Sequence, residues 1–234
     1  MTSEPTTSQT PAVRAGRRRR QLPLWAHPVL ALLLVALLRN FVGQSFYVPS
    51  SSMVPTLEVG DRVVVSKMSD DVERGDVVVF DGTDTFGGGS DTELTGTFGA
   101  ILSGVGRFFA IDPGEKDYVK RIVGVGGDRV VCCDADGRIT VNDVALQESY
   151  LPEGVDPSLS EFDVEVPAGR LFMLGDNRDN SADSRAHLGA PGGGMIPVED
   201  VIGKPAVRFW PLDRLGGVED KGSAELAQIP RAGS

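Results

Sequence analysis

The sequence predicts a mainly β protein, in which one N-terminal transmembrane helix precedes an antiparallel β domain. Glycine and proline supply 29 and 15 of the 234 residues, a content of turn formers that disfavours a helical bundle. Beyond residue 43 the apolar runs are short, rich in Val, Ile and Phe, and separated by Gly and Asp, as expected of short strands joined by turns. Near the N-terminus, by contrast, one apolar run is long enough to cross a bilayer.

Eight segments of the outer part are predicted to be strands: 61–67, 76–80, 118–125, 129–133, 138–144, 161–166, 170–174 and 201–210. The tetrapeptide 141–144, Val-Asn-Asp-Val, resembles a hairpin turn between two strands. Residues 81–99 are rich in Gly, Thr and Asp, so we expect a mobile surface loop there.

The N-terminal segment has the features of a membrane anchor. Residues 1–21 form a basic tail, expected to be disordered, that ends in the four arginines Arg17–Arg20. Residues 22–38 contain no Lys, Arg, Asp or Glu, and we place the transmembrane anchor at 22–43. Under the positive-inside rule the tail is cytoplasmic and the domain 44–234 is extracytoplasmic. A cleavable secretory signal is the alternative, but no small-x-small cleavage site follows the apolar run.

Composition excludes some classes of function. The net charge of −10 disfavours nucleic acid as a partner, because phosphate binding needs Lys and Arg. Only two histidines are present, and His27 lies in the anchor, which excludes a two-histidine metal site in the outer domain. His187 is expected to be a surface loop residue. The adjacent Cys132 and Cys133 are expected to be ordinary strand residues, since neighbouring cysteines rarely pair.

A serine-rich turn follows the anchor, with three hydroxyls at Ser50, Ser51 and Ser52 between two prolines. Taken alone, this turn could be a polar linker. A serine nucleophile needs a base, and without histidine the alternative is a neutral lysine. A free lysine is neutral in only about one molecule in 2,500 at pH 7, so burial must lower its pKa.

Lys120 is the candidate for such a base. Strand alternation places it on the same face as Tyr118 and Ile122, with Arg121 on the opposite face. A lysine in a strand is also commonly an edge residue that faces solvent. The polar stretch 175–185, directly after a strand, could form a rigid loop with internal Asp–Arg pairs or an ordinary polar turn.

Four blocks in this order behind one anchor make the chain resemble the bacterial type I signal peptidases, membrane serine proteases that remove signal peptides from exported proteins. The blocks are Ser-x-Ser-Met-x-Pro-Thr-Leu at 50–57, Arg-Gly-Asp-Val-Val-Val-Phe at 74–80, Tyr-Val-Lys-Arg-Ile-Val-Gly at 118–124, and Gly-Asp-Asn-Arg-Asp-Asn-Ser-Ala-Asp-Ser-Arg at 175–185.

The resemblance implies a role for each matching residue. Ser52 would be the nucleophile and Lys120 the general base, with the Ser50 hydroxyl and the Ser52 backbone N–H as the oxyanion hole. The supporting residues would be Ser181, which orients Lys120, and the pair Asp183 and Arg185. Shallow apolar pockets for small substrate residues would be lined by Val48, Met53, Tyr118 and Val119. No cofactor and no metal are implied.

The resemblance also implies the partners of the protein. In some features the chain departs from the family. The partners would be exported preproteins with signal peptides and the lipid bilayer, with the secretion machinery as a further candidate. Phe46, Phe209 and Trp210 would contact the headgroups, although core packing is an equal alternative for the last two. A small β subdomain is expected at about 128–170. Residues 81–116 have no assigned counterpart.

Two rival functions share part of this pattern. A self-cleaving repressor-type Ser-Lys peptidase would use the same dyad, but it would be soluble and would need a DNA-binding segment. A non-catalytic, membrane-tethered β domain that binds exported partners would need no dyad. Cleavage of a preprotein distinguishes all three.

Overall fold

The computed structural model describes residues 23, 26–30, 44–66, 72–87, 117–218 and 222–231. Contacts divide the chain into two units, residues 1–40 and 41–234. In the first unit, residues 26–30 are helical. Within the ranges given above, no helix is both long and apolar enough to traverse a bilayer. Most of the predicted anchor 22–43, and all of the tail 1–21 that precedes it, lie outside the described residues.

The described residues of the second unit contain twelve strands, which confirms the mainly antiparallel β prediction. They are β1 Gln44–Tyr47, β2 Arg62–Ser66, β3 Val77–Asp81, β4 Asp117–Val125, β5 Arg129–Cys132, β6 Ile139–Val141, β7 Val144–Ala145, β8 Phe162–Glu165, β9 Arg170–Leu174, β10 Ile196–Pro197, β11 Val201–Trp210 and β12 Gly216–Gly217. Single helical turns occur at Thr83–Gly87, Ser184–His187, Val198–Asp200 and Leu212–Arg214, and a short α-helix at Ser223–Ala227.

The larger sheet has the strand order β1-β2-β11-β3-β4-β9-β10, with β12 paired to β11. Alternation decides which side chains enter its core: in β2, Val63 and Val65 are fully buried while the other three residues are partly exposed. The described residues form three apolar clusters. One contains Val63, Val65 and Met53, and a second contains Phe80 and Ile122. The third combines residues of this sheet, such as Phe172, with residues of the smaller sheet.

The smaller sheet has the order β7-β6-β5-β8 and lies within 129–165, inside the interval expected for a small subdomain. Its β6–β7 hairpin turns at Asn142 and Asp143, whose φ angles of 51° and 65° are those of a type I′ turn. This confirms the turn predicted at 141–144. The single strand predicted over 138–144 is therefore two shorter strands.

Two further expectations need correction. Cys132 and Cys133, predicted as ordinary strand residues, are joined by a disulfide. Strand β5 ends at Cys132, so Cys133 leaves the alternation that would point the two side chains to opposite faces. In the loop predicted at 81–99, residues 83–87 form a helical turn, and residues 88–99 lie outside the described part. Strands β1, β10 and β12 were not predicted, because two to four residues show too little alternation to be recognised.

Candidate active site

The serine-rich turn connects β1 to β2 and is held by its own backbone hydrogen bonds. Val54 N–H donates to the Ser51 carbonyl (3.1 Å), and Leu57 N–H donates to the Met53 carbonyl (2.9 Å). The side chains of Met53 and Leu57 lie in the apolar core at 1% and 0% exposure. This anchoring draws Ser52 below the surface, to 8% exposure, while Ser50 remains exposed.

Lys120 meets this turn from β4, 68 residues further along the chain. Its Nζ lies 2.6 Å from Ser52 Oγ, and its side chain is 3% exposed. Burial lowers the pKa of Lys120 to about 8, against the opposing attraction of the Asp183 and Asp176 carboxylates. The lysine is thus not the solvent-facing edge residue of the alternative interpretation, and a useful fraction of its amine is neutral near neutral pH.

Lys120 lies on the face of β4 that alternation predicts, but the opposite face, which carries Arg121, is also buried. Arg121 is fully buried and forms a bidentate pair with Asp176, with both nitrogen–oxygen distances at 2.8 Å. It also donates to the Gly75 carbonyl (2.7 Å) and lies 4.0 Å over the ring of Tyr150. Thr56 donates to the same Asp176 carboxylate at 2.5 Å, which joins the serine turn to this pair.

Sequence reasoning missed the partnership of Arg121 and Asp176. Both residues belong to the blocks on which the resemblance is based. Nothing in their spacing indicates that they form a pair, since they are 55 positions apart in the sequence. The signal that was available was chemical: an arginine in a largely apolar strand needs an opposite charge nearby if its face of the strand is buried.

The loop after β9 lies against the serine turn. Asp183 pairs with Arg185 through two side-chain hydrogen bonds of 2.9 and 2.7 Å and accepts the Gly175 N–H at 3.1 Å. Burial raises the pKa of Asp183, but the hydrogen bonds and charge of Arg185 outweigh it, so the pKa lies below its usual value. A Cβ on Gly175 would lie 2.5 Å from the Ser52 carbonyl oxygen, so this contact requires glycine.

The two other serines of the site occupy different environments. Ser50 Oγ lies 3.4 Å from Ser52 Oγ, on the exposed side of the turn. Ser181 Oγ lies near the Asp183 carboxylate but is buried without a hydrogen bond of good geometry to any residue in the described part. The hydrogen bond expected between Ser181 and Lys120 is not formed in this structure, and the orienting role stays a prediction.

The four residues expected to line apolar pockets divide between two clusters. Val48, Met53 and Val119 belong to the cluster under the serine turn, and Tyr118 belongs to the neighbouring one. Val48 and Met53 are only 3% and 1% exposed, whereas Tyr118 and Val119 are partly exposed. The surface that a bound peptide could touch directly therefore comes mainly from Tyr118 and Val119.

His187, predicted to be a surface loop residue, is partly exposed and lies in the segment that connects β9 to β10. It ends the helical turn Ser184–His187, which Asp183 caps, and its Nδ1 lies 2.9 Å from the Asp183 carbonyl. Its ring stacks on Phe86 with centroids 4.5 Å apart, and the ring of Phe86 in turn meets Tyr118 edge-on at 5.3 Å. Among the residues that the structure describes, no group of three or more His, Cys, Asp or Glu could hold a metal ion.

Comparison with known proteins agrees with this geometry. The family described as "Signal peptidase, peptidase S26" matches residues 23–210. The "Probable signal peptidase I" of Mycobacterium leprae (strain TN) is 36% identical over 91% of this chain and 85% of its own length. The "Signal peptidase I" of Mycobacterium tuberculosis (strain ATCC 25618 / H37Rv) is 37% identical over 81% and 72%, and the "Probable signal peptidase I-2" of Synechocystis sp. is 33% identical over 86% and 78%. The chain therefore belongs to the signal peptidase I family, a family of serine endopeptidases that cleave signal peptides.

Proposed function

We propose that this protein is a membrane-anchored serine endopeptidase that removes N-terminal signal peptides from exported preproteins after small residues, with Ser52 as nucleophile and Lys120 as general base. The observation that carries the proposal is the buried contact of 2.6 Å between Lys120 Nζ and Ser52 Oγ. The reaction needs no cofactor, because the serine and the lysine together supply both the nucleophile and the proton acceptor.

The first half of the reaction acylates Ser52. Neutral Lys120 accepts the hydroxyl proton as Ser52 Oγ attacks the scissile carbonyl carbon, and the carbonyl oxygen becomes an oxyanion. The Ser52 N–H and the Ser50 hydroxyl stabilise that oxyanion, each contributing about 3 kcal/mol. Lys120 then gives its proton to the leaving amine, which departs with the mature protein.

The second half releases the signal peptide. Lys120, again neutral, takes a proton from water, and the hydroxide attacks the acyl carbonyl. Ser52 leaves and recovers its proton from Lys120. The burial of Lys120 favours both halves of the reaction, because each begins with a neutral amine. A desolvated amine binds its proton less tightly than one in water.

An unpaired backbone edge next to the dyad supports binding of the substrate as an added strand. In β4, residues Asp117–Arg121 pair with β3 on one side. On the other side, pairing with β9 begins only at Arg121, so residues 117–120 have no strand partner there within the described ranges. An extended peptide can hydrogen-bond to that edge and bring its scissile carbonyl to Ser52. Partly exposed Tyr118 and Val119 would then contact small apolar side chains.

The sequence and the exposed apolar residues support a location at the membrane. The basic tail and apolar segment 22–43 would anchor the chain with its N-terminus in the cytoplasm and the peptidase domain outside. In the second unit, Trp210, Leu212 and Leu215 are 50%, 69% and 62% exposed close together in sequence. Side chains of this kind favour contact with a bilayer interface, where signal peptides are themselves held.

The test is cleavage of a preprotein by the purified full chain in detergent micelles. Ser52→Ala and Lys120→Ala should each abolish processing. His187→Ala should leave it within a few-fold, because His187 lies outside the proposed dyad and the change removes only its stacking on Phe86 and its contact with the Asp183 backbone carbonyl. Substantial activity of Lys120→Ala would show that another group is the base. No cleavage by the wild type would favour a binding module, and cleavage of itself alone would favour the repressor type.

A further inference from the structure

Asn177, which the sequence reasoning did not single out, contacts both peptide units that flank Ser52. Its side-chain Nδ2 donates to the Ser51 carbonyl at 3.0 Å. Its backbone N–H donates to the Ser52 carbonyl at 3.0 Å. The two contacts come from the start of the loop after β9, where Gly175 allows the close approach to the serine turn.

The first of these contacts fixes the direction of a particular N–H. The Ser51 carbonyl and the Ser52 N–H belong to one peptide unit, which is planar and trans, so its C=O and N–H point in opposite directions. A donor that holds the carbonyl in place therefore also sets where the N–H points. A carbonyl can only accept, so the amide group of Asn177 faces it with its NH₂.

A second hydrogen bond to the same carbonyl comes from Val54 N–H at 3.1 Å. That bond closes a tight turn. A single hydrogen bond to a carbonyl still allows the plane of its peptide to tilt about the direction of that bond. The bond from Asn177 arrives from a different part of the chain, 126 residues away, and restricts that tilt. Two donors on one carbonyl also polarise the peptide and make its N–H a better donor.

We infer that Asn177 is a positioning residue of the oxyanion hole, which acts by orienting the Ser51–Ser52 peptide so that the Ser52 N–H points at the developing oxyanion. This inference rests on the proposed function, because it assumes that Ser52 attacks the scissile carbonyl. It assigns Asn177 no contact with substrate and no part in proton transfer.

The neighbouring Asn180 provides a matched comparison. Its Nδ2 donates to the Ser51 hydroxyl at 3.0 Å rather than to a backbone carbonyl, and its side chain is exposed. Removing that amide leaves the Ser51–Ser52 peptide held by Val54 and Asn177. Asn177→Ala and Asn180→Ala therefore remove the same chemical group from the same loop and differ in what that group holds.

The experiment measures kcat and KM for a peptide substrate with the full-length chain in detergent, at several pH values. Asn177→Ala, and Asn177→Leu as an apolar variant with the same branching, should lower kcat about 10- to 100-fold, part of the 10²- to 10³-fold typical of losing an oxyanion donor outright. KM should change less than about threefold, because the oxyanion contact exists only in the transition state. The apparent pKa of the kcat/KM profile should stay where the wild type has it. Asn180→Ala should keep a kcat within about threefold of the wild type, since the Asn180 side chain does not hold the peptide whose N–H binds the oxyanion.

Each other result overturns the inference. Unchanged kcat in Asn177→Leu, with the thermal unfolding midpoint retained, would show that the carbonyl contact is dispensable. A rise in KM at constant kcat would make Asn177 a substrate contact, and a displaced apparent pKa would show that it acts on Lys120. Ser52→Ala, assayed in parallel, separates the two proposals: if it is inactive while Asn177→Leu is fully active, the orienting role fails and the proposed function stands.

Discussion

Raising the pH from 7 to 9 should increase kcat/KM for signal-peptide cleavage about tenfold, after which the rate should reach a plateau. The magnitude follows from the pKa of about 8 that burial gives Lys120 in the free enzyme. With that pKa, about 9% of the amine is neutral at pH 7, about half at pH 8 and about 90% at pH 9. A lysine in water, with its pKa near 10.4, would give about a 100-fold rise over the same interval and no plateau below about pH 10.

The assay is initial-rate cleavage under kcat/KM conditions, because this parameter reports the ionisation of the free enzyme. The substrate should carry no group that titrates between pH 6 and 10, and ionic strength should be constant. His187→Ala should give the same pH profile, which would show that the profile does not come from the titration of His187. A rate that does not change between pH 6 and 9 would refute the assignment of a titrating lysine. A rate that still rises tenfold per pH unit above pH 9 would refute its desolvation.

Three further predictions concern stability and packing around the dyad. Lys120→Met should be more stable than the wild type at pH 7, because the depressed pKa means that the buried ammonium costs free energy below pH 8. This advantage should shrink by about 2 kcal/mol at pH 10, where the amine is neutral in the folded protein while most unfolded chains still carry its proton. Denaturant unfolding at both pH values measures it, and an equal difference at both would contradict it. Asp176→Asn should lower the free energy of unfolding by about 3–5 kcal/mol, because the Arg121 charge loses its buried partner. The double variant Arg121→Met/Asp176→Leu should lose much less free energy of unfolding, because no unpaired charge remains. A double variant less stable than Asp176→Asn would be incompatible with this explanation. Gly175→Ala should reduce cleavage more than tenfold and the free energy of unfolding by about 1–3 kcal/mol, since its Cβ would collide with the Ser181 side chain and with the Ser52 carbonyl oxygen. An active, equally stable variant would show that the loop can move aside.

Strand β4 shows where prediction from sequence succeeds and where it ends. Alternation correctly separated Lys120 from Arg121, because the two faces of a strand follow from backbone geometry alone. It gave no indication that both faces would be buried, since burial of the second face depends on Asp176 and Tyr150 from other parts of the chain. A charged residue that a pattern assigns to the outside can thus be the most buried side chain of a site.

The serine turn and the loop after β9 show a similar limit. Their residue types and order were sufficient to recognise the family. The contacts that shape the turn could not be predicted, because a 3.0 Å hydrogen bond from Asn177 to the Ser51 carbonyl depends on how closely two loops approach. The disulfide between Cys132 and Cys133 was missed for a related reason, since the exact end of β5 decides whether the two side chains diverge.

The sequence by itself determined most of the longer strands of the β domain, the position of the hairpin turn at 141–144 and the residue types from which the nucleophile and base come. Periodicity and turn chemistry are local properties, so they can be read without knowing which strands are neighbours. Only the tertiary structure decided that Lys120 reaches Ser52 across 68 residues and that its pKa falls to about 8. Desolvation is a sum over all the atoms that replace water around one amine, and those atoms are contributed by segments far apart in the chain.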